Sequence, residues 1–290
     1  MAKTVLGYLG PYRLLNVIHT GQCGQVWQAM DDGRQRMVAV KTLLEKAAKN
    51  AEQIGYLRQE YRLARTLCDP RLIEVYAFGI DRGTPYLATE WFPAPTMKRR
   101  VRSKEDREKI AWLVPKIIEE AAGALDCLHQ CGWIHRDIKP DNFLVSDEGR
   151  VKLIDFGLAK RARHGLAKLL SLKSKRQGTP SYMPPEQIRC APLDERADVY
   201  SFACTVYELI AGTPPFTAPT LEDLFGKHLK ASPPSLEGQN PNVTTEFSQL
   251  LRRCLAKDPS ARPASAGDFL GELGRVRIFK TLPRRPGSAT

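Results

Sequence analysis

The character of this chain shifts after Trp91-Phe92-Pro93, from mostly strand-like to mostly helical patterning, and such a shift points to a fold of two unlike parts. Ahead of that point, from about Tyr12 to Thr89, the pattern is strand-like with one helical interruption. Residues 12–18, 24–30 and 36–43 are rich in Val, Ile, Leu and aromatic side chains, and Asp31-Asp32-Gly33 marks a hairpin turn between two of them. Residues 50–67 take a helical period, with Ile54, Leu57, Tyr61, Ala64 and Leu67 along one stripe, ended by Asp69-Pro70. Two short strands follow near 72–79 and 85–91. Beyond the change, residues 108–130 predict a long apolar-faced helix with Pro115 as an awkward interruption, and helical patterns return at 198–211, 221–230, 245–256 and 265–274. The expectation is an α+β fold. A small β-rich lobe with one helix covers 12–89, a hinge 90–95 and a larger α-rich lobe 96–274. Residues 1–11 read as an N-terminal extension, and the basic tail over 275–290 reads as disordered. At 290 residues the chain can bury a substantial core.

Composition narrows the setting. The apolar share of 42% and charged share of 26% are those of an ordinary globular protein. No apolar run approaches the roughly 20 residues of a membrane span, and the first residues lack the pattern of a secretory signal. Seven scattered cysteines, Cys23, Cys68, Cys127, Cys131, Cys190, Cys204 and Cys254, form no CxxC pair, so they are expected as reduced, mostly buried thiols in a cytoplasmic setting. The net charge of +12 is uneven. From Leu158 to Met183 there are seven basic residues (Lys160, Arg161, Arg163, Lys168, Lys173, Lys175, Arg176) and no acid. No nucleic-acid motif accompanies this charge, and no nucleic-acid partner is expected.

The strongest chemical signal is His135-Arg136-Asp137-Ile138-Lys139-Pro140-Asp141-Asn142, followed by Asp155-Phe156-Gly157. In these residues the sequence resembles the eukaryotic-type (Hanks-type) serine/threonine protein kinases, over about residues 12–274. The resemblance implies a two-lobed protein kinase fold, ATP and Mg2+ as cofactors, and a protein as phosphate acceptor. Phosphoryl transfer needs positioning and charge neutralisation more than covalent help. By resemblance Asp137 holds the incoming hydroxyl in line, and Lys139 steadies the moving γ-phosphate. Asn142 and Asp155 supply hard oxygen ligands to magnesium. Lysine at 139 favours serine/threonine over tyrosine specificity. Val38-Ala39-Val40-Lys41 resembles the strand that carries the phosphate-binding lysine, and Glu60 fits the helix glutamate that pairs with it, Glu52 lying too early in the helix.

The glycine loop departs from the family pattern G-x-G-x-x-G-x-V. It reads His19-Thr20-Gly21-Gln22-Cys23-Gly24-Gln25-Val26, so Gly21, Gly24 and Val26 are present and His19 replaces the first glycine. Gly21 and Gly24 would let the backbone approach the phosphates. The resemblance places the adenine against Ile18, Val26 and Ala39 on one side and Leu144 on the other. Backbone groups of Glu90 and Phe92 read its edge, and Thr89 is the gatekeeper. Gly178-Thr179-Pro180-Ser181-Tyr182-Met183-Pro184-Pro185-Glu186 matches the peptide-docking segment, with Thr179 set to bond Asp137 and Lys139. Glu186 is expected to pair with Arg262, and Asp198 to tether the catalytic-loop backbone.

Arg136 is of the kind neutralised in the family by a phosphate on the activation segment. Between Phe156 and Pro185 no acid can substitute, so phosphorylation of Ser174, with Ser171 second, is expected to activate the enzyme, by autophosphorylation of its activation loop. Relatives that select arginine carry a glutamate shortly after the hinge. Here Thr96 stands there, followed by Met97-Lys98-Arg99-Arg100, which speaks against arginine-directed specificity. Three other readings compete. A pseudokinase scaffold would share the fold, but Lys41, Glu60, Asp137, Asn142 and Asp155 are all in place. Antibiotic-type phosphotransferases generally lack Asp-Phe-Gly and the docking segment, and a nucleic-acid binder rests on charge alone. Oligomeric state is not legible.

Overall fold

A computed structural model describes residues 7–162 and 176–285. They form two compact units. One holds the described residues up to Pro93 together with Asp155–Gly157, the other Ala94–Ile154 and the described residues from Leu158 onward. The α+β expectation holds, because the first unit is built on a sheet and the second mostly on helices.

The first unit contains strands β1 (Gly7–Leu9), β2 (Tyr12–Thr20), β3 (Gly24–Asp31) and β4 (Arg36–Leu43), then a single helical turn α1 (Glu45–Ala48) and helix α2 (Ala51–Ala64), then β5 (Val75–Asp81) and β6 (Thr84–Glu90). The strands make one antiparallel sheet in the order β1-β2-β3-β4-β6-β5. Every neighbour but one pair is a sequence neighbour, as short hairpins dictate. The Asp31–Gly33 turn is present, and Gln35 completes it with φ 49°. Two differences from expectation stand out. Residues 7–9, read as part of an extension, pair with Tyr12–Leu14 and bury Leu9 against Tyr12, Ala29, Val38, Val40, Tyr86 and Ala88. The helix starts later and ends earlier than 50–67: the Asn50 side chain accepts from the Glu52 and Gln53 amides and so caps it.

The second unit begins with α3 (Met97–Arg102), α4 (Lys104–Ile110) and α5 (Val114–Gln130). Short strands β7 (Trp133–Ile134), β8 (Phe143–Val145), β9 (Val151–Leu153) and β10 (Lys160–Arg161) follow. Helices α6 (Pro185–Ile188), α7 (Glu195–Ala211), α8 (Leu221–Lys230), α9 (Leu236–Gln239), α10 (Thr245–Cys254) and α11 (Ala266–Leu273) complete it. Pro115 does not interrupt a helix. A 3-10 turn over Ala111–Leu113 separates α4 from α5, and Pro115 is the second residue of α5, where proline sacrifices no hydrogen bond. Helix α7 is the axis of the unit. Every residue from Ala197 to Leu209 is buried, as expected of a helix enclosed on all sides. Gly212, at φ 83°, ends it with the left-handed residue that L side chains resist.

The tail expectation is corrected over its described part. Ile278 and Phe279 are buried, the Thr244 and Lys280 amides donate to Ile278 and Asn242 carbonyls at 3.1 and 2.7 Å, and Phe279 forms an isolated bridge with Val243. Apolar pairs at the end of a basic stretch were enough to dock it. The thiols are also less buried than expected. All seven are free, but only Cys204 and Cys254 are buried, while Cys23 and Cys68 are exposed. No helix of the described residues is long and apolar enough to cross a membrane.

Two buried polar groups brace the second unit. Arg262 is fully enclosed, and its five N–H groups are all used: two on Glu186 (2.7 and 2.9 Å), the others on the carbonyls of Ala256, Arg196 and Lys257. It also lies 4.8 Å over the Tyr200 ring. The second group is His228, whose Nδ1 lies 3.0 Å from the Tyr200 hydroxyl. Burial, aided by the Lys257 ammonium, pulls its pKa down to about 4. Removing one member of a buried pair leaves the other charge uncompensated. Arg262→Ala should therefore lose about 3–5 kcal/mol of unfolding free energy, and a urea titration showing a loss below about 1 kcal/mol would refute the bracing role. For His228 the sign follows from linkage. Between about pH 6.5 and pH 4 the unfolded chain binds a proton that the folded chain refuses, so stability falls as pH drops through that window, by at most about 3 kcal/mol. Unfolding measured from pH 7 to 4 should show a shallower slope in His228→Gln than in wild type; equal slopes would contradict it.

Candidate active site

The loop between β7 and β8 carries the motif residues of the second unit. Its backbone is irregular, and Arg136 sits in the left-handed region at φ 71°. What holds it there is Asp198 near the start of α7. One carboxylate oxygen accepts the His135 amide at 2.6 Å, and the other accepts the Arg136 amide at 2.8 Å. His129 at the end of α5 lies 3.2 Å from the same carboxylate. The His129 Nδ1 accepts the Ala266 amide, so its Nε2–H is the one that donates to Asp198. The expected tether is thus present, with a histidine partner that the sequence reading missed.

With the loop fixed, Asp137 and Lys139 face Thr179. The Thr179 amide and hydroxyl both donate to Asp137 Oδ1 at 2.8 Å, and the Lys139 ammonium donates to Asp137 Oδ2 at 2.6 Å and to the Thr179 hydroxyl oxygen at 2.8 Å. Aspartate, lysine and threonine therefore form a closed ring of hydrogen bonds. Its side chains are mostly enclosed, Asp137 being 11% and Lys139 20% exposed. Gly178 is needed for this approach. At φ 113° a Cβ would come within 2.9 Å of the Arg136 carbonyl oxygen and of Gln187 Nε2. Gln187 itself donates to the Arg136 carbonyl at 3.0 Å and to the Gln177 carbonyl, clamping the docking segment onto the loop. Nothing but its place next to Glu186 could have flagged it. Asn142 donates its amide to the Asp137 carbonyl at 2.8 Å, so its side-chain oxygen is the atom left for a cation. Arg136 donates to the Leu158 carbonyl at 3.4 Å. Leu144 lies in β8 and is half-buried. Ser171 and Ser174 lie outside the described residues, as does most of the basic run.

The first unit assembles a second group. Lys41 on β4 lies 3.1 Å from Glu60 of α2, as expected, and also 2.9 Å from Asp155, which the sequence reading did not foresee as its partner. Asp155 adopts φ 67°, and Gln59 donates to the Gly157 carbonyl at 3.1 Å, so α2 holds the Asp-Phe-Gly turn through two adjacent residues. Burial lowers the pKa of Lys41, but Asp155 and Glu60 outweigh it and hold the ammonium above its usual value. Burial raises Glu60, offset in part by Lys41.

Of the residues expected around the adenine, Ile18, Val26, Ala39, Thr89 and Glu90 lie on the six-stranded sheet of this unit. Val26 pairs with Lys41, Ala39 with Thr89 and Val38 with Glu90; Ile18 on β2 is exposed, and Phe92 follows the end of β6. The Glu90 amide donates to the Glu74 carbonyl at 2.9 Å, and the Glu90 carbonyl accepts the Thr89 hydroxyl at 3.2 Å. Gly24 turns out to be required by the sheet itself, because a Cβ there would run into the Thr42 carbonyl oxygen of β4. Gly21 has no such restriction: a Cβ would sit 3.6 Å from His19 Nε2, in ordinary contact.

Comparison with known proteins agrees with this geometry. The protein kinase domain family model matches residues 12–270. The chain is 30% identical over 280 residues to a probable serine/threonine-protein kinase of Clostridium acetobutylicum, across 96% of this chain and 41% of that protein. It is 32% identical over 283 residues to the serine/threonine-protein kinase PknA of Mycobacterium tuberculosis, across 95% of this chain and 63% of PknA. A probable serine/threonine-protein kinase of Streptomyces coelicolor is 32% identical over 289 residues, across 97% of this chain and 41% of its own length. The chain spans between 41% and 63% of the length of these relatives. With the family match running from Tyr12 to Leu270, the chain belongs to the protein kinase domain family.

Proposed function

We propose that this chain is a serine/threonine protein kinase, transferring the γ-phosphate of ATP to serine and threonine hydroxyls of protein substrates, with residues 12–274 as its catalytic domain. The observation that carries the reading is the Asp137–Lys139–Thr179 ring, because it fixes a carboxylate and an ammonium 2.6 Å apart on a braced loop. Asp137 Oδ2 accepts a single hydrogen bond within the ring, from Lys139, and keeps acceptor capacity for the hydroxyl of the substrate. That contact orients the attacking oxygen and takes up its proton as its bond to the γ-phosphorus forms and the bond to the β,γ-bridging oxygen breaks, with ADP as the leaving group. Lys139 moves its hydrogen bonds toward the developing charge on the transferred group. In the first unit Lys41 supplies the cation for the α- and β-phosphates, steadied by Glu60. Asn142 and Asp155 would hold magnesium, which fits their oxygen donors and supplies charge neutralisation of the phosphates. Ile18, Val26, Ala39, Thr89, Glu90, Phe92 and Leu144 would receive the adenine, and Gly21 and Gly24 the phosphate loop. The assembled Lys41–Glu60–Asp155 cluster speaks against a pseudokinase, and the seven free thiols support a cytoplasmic setting.

Regulation follows from charge. The sequence from Leu158 to Met183 has seven basic residues and no acid, so a phosphate on Ser174 (or Ser171) would bring a charge of about −1.5 to −2 into a stretch that has no negative residue.

Two measurements test these roles. Asp137→Asn should lower incorporation of labelled phosphate into a generic basic protein by at least about a hundredfold, while Thr179→Val should lower kcat with little change in KM for ATP. Equal incorporation by wild type and Asp137→Asn would defeat the catalytic assignment. For regulation, mass spectrometry of the active enzyme should find phosphate on Ser174 or Ser171, and fully active protein with both unmodified would sink the activation proposal.

A further inference from the structure

Tyr200 of helix α7 has two cations over its ring, and only one of them is neutralised. The Arg262 guanidinium lies 4.8 Å from the ring centroid and the Lys257 ammonium 5.7 Å. Arg262 takes both carboxylate oxygens of Glu186, the acid of α6. Lys257 has no carboxylate partner among the described residues. Its ammonium donates to the Tyr200 hydroxyl oxygen at 3.5 Å and to the Lys227 carbonyl at 3.4 Å, both of them long bonds. The Phe216 ring stands 4.4 Å from the same nitrogen. Lys257 is partly enclosed by these groups and keeps part of its surface in solvent.

The elements packed around this ammonium offer it no anion. On α8 the Lys227 side chain is itself cationic and is turned to the Thr217 carbonyl, while His228, bonded to the Tyr200 hydroxyl, is neutral above about pH 4. On α7 the Cys204 thiol is kept protonated by burial. Next along the chain, the Asp258 carboxylate is spent on the amide and hydroxyl of Ser260. The two aromatic rings attract the ammonium, but neither carries a net charge. Burial first, and then the Arg262 guanidinium, bring the pKa of Lys257 down to about 8. A partly enclosed amine in such a setting is a nucleophile, and phosphoryl transfer makes no use of it.

We propose that Lys257 is a modification site: its Nζ, set against the Phe216 and Tyr200 rings without an anion, accepts acyl groups from small acyl phosphates. The inference goes beyond the kinase reading and stands without it. The amine lone pair attacks the carbonyl carbon of the acyl phosphate. The C–N bond forms as the bond from that carbon to the phosphate oxygen breaks, and inorganic phosphate leaves with the electron pair. The nitrogen gives its extra proton to water, and nothing is oxidised or reduced. The product is a neutral amide. It removes the surplus cation from a ring that Arg262 already occupies, so it suits this cluster better than the ammonium does.

Treatment of the full chain with acetyl phosphate, stopped at low incorporation and mapped by mass spectrometry, tests the assignment. At pH 7.5 an amine of pKa about 8 is unprotonated roughly two-hundredfold more often than an ordinary lysine of pKa about 10.4. A weaker base attacks more slowly, and the rings shield one side. Lys257 should therefore be acetylated roughly tenfold faster, or more, than Lys49 and Lys104, whose side chains are 75% and 84% exposed. Its rate should level off above about pH 8, while theirs keep rising toward pH 10. In urea that unfolds the chain the preference should vanish, because it belongs to the packed cluster and not to the local sequence. A folded-state rate at Lys257 no greater than at Lys49 and Lys104 overturns the proposal. So does a rate that climbs in step with theirs to pH 10, or a preference that persists in urea.

Discussion

The site of the second unit depends on one buried carboxylate. Left to itself, the backbone at Arg136 would not hold a positive φ, since that conformation costs an L residue roughly 1–2 kcal/mol. Asp198 offsets the penalty by accepting two consecutive amides, from His135 and Arg136, and charge-assisted bonds of that kind are the strong ones. From this follow the direction of Asp137, the reach of Lys139 and the docking of Thr179. Asp198 can stay buried because His129 and two backbone donors satisfy it, and because α7, on which it rides, is enclosed on every side. The same helix carries Ser201 and Glu208, which hold Tyr182 by its carbonyl and its hydroxyl, so one rigid rod positions both the catalytic loop and the docking segment. Ten residues of helix separate the two carboxylates, about 15 Å of rise.

The first unit solves a different problem. Lys41, Glu60 and Asp155 bring two negative charges and one positive into half-buried space. Such a group is held together by mutual attraction at low dielectric but is poor at stabilising the fold, because desolvation consumes most of the gain. Its value lies in positioning. Gln59 anchors the neighbouring turn through Gly157, so α2 governs the place of Asp155 twice over.

Much of this was legible in the residues, and the reason is chemical. Asp137, Lys139, Asn142 and Asp155 form patterns whose residue types have few other uses, and the strand lysine and helix glutamate are marked by spacing. Glu186 with Arg262 and Asp198 with the loop backbone were implied by the family resemblance, and the structure shows both contacts. Gln187, His129 and Gln59 were not, because amides and a histidine in mixed sequence look like ordinary surface residues until the chain closes on them. Lys98, the cation paired with Glu208, was hidden in the run Lys98-Arg99-Arg100, where basic neighbours suggest a solvated face. Pro115 misled through position: periodicity ignores that a proline on the first turn of a helix is harmless. Gly24 misled through its motif, because the family pattern names a phosphate role while the Thr42 carbonyl gives the glycine a second reason to be there. The tail was misjudged from charge, although Ile278 and Phe279 had enough apolar surface to dock.

The membership of Asp155–Gly157 in the first unit has a consequence for synthesis. Some sixty residues separate Pro93 from Asp155, and a ribosome adding about 5–20 residues per second needs roughly 3–12 s to cover them. During that interval the sheet and α2 have emerged, but Lys41 has only Glu60 to pair with. The first unit is therefore completed by a segment that arrives late, and a release of the nascent chain at Pro93 yields a sheet with its lysine half-neutralised. Vectorial folding here ends where it began, with the last three residues of the small unit delivered from the middle of the chain.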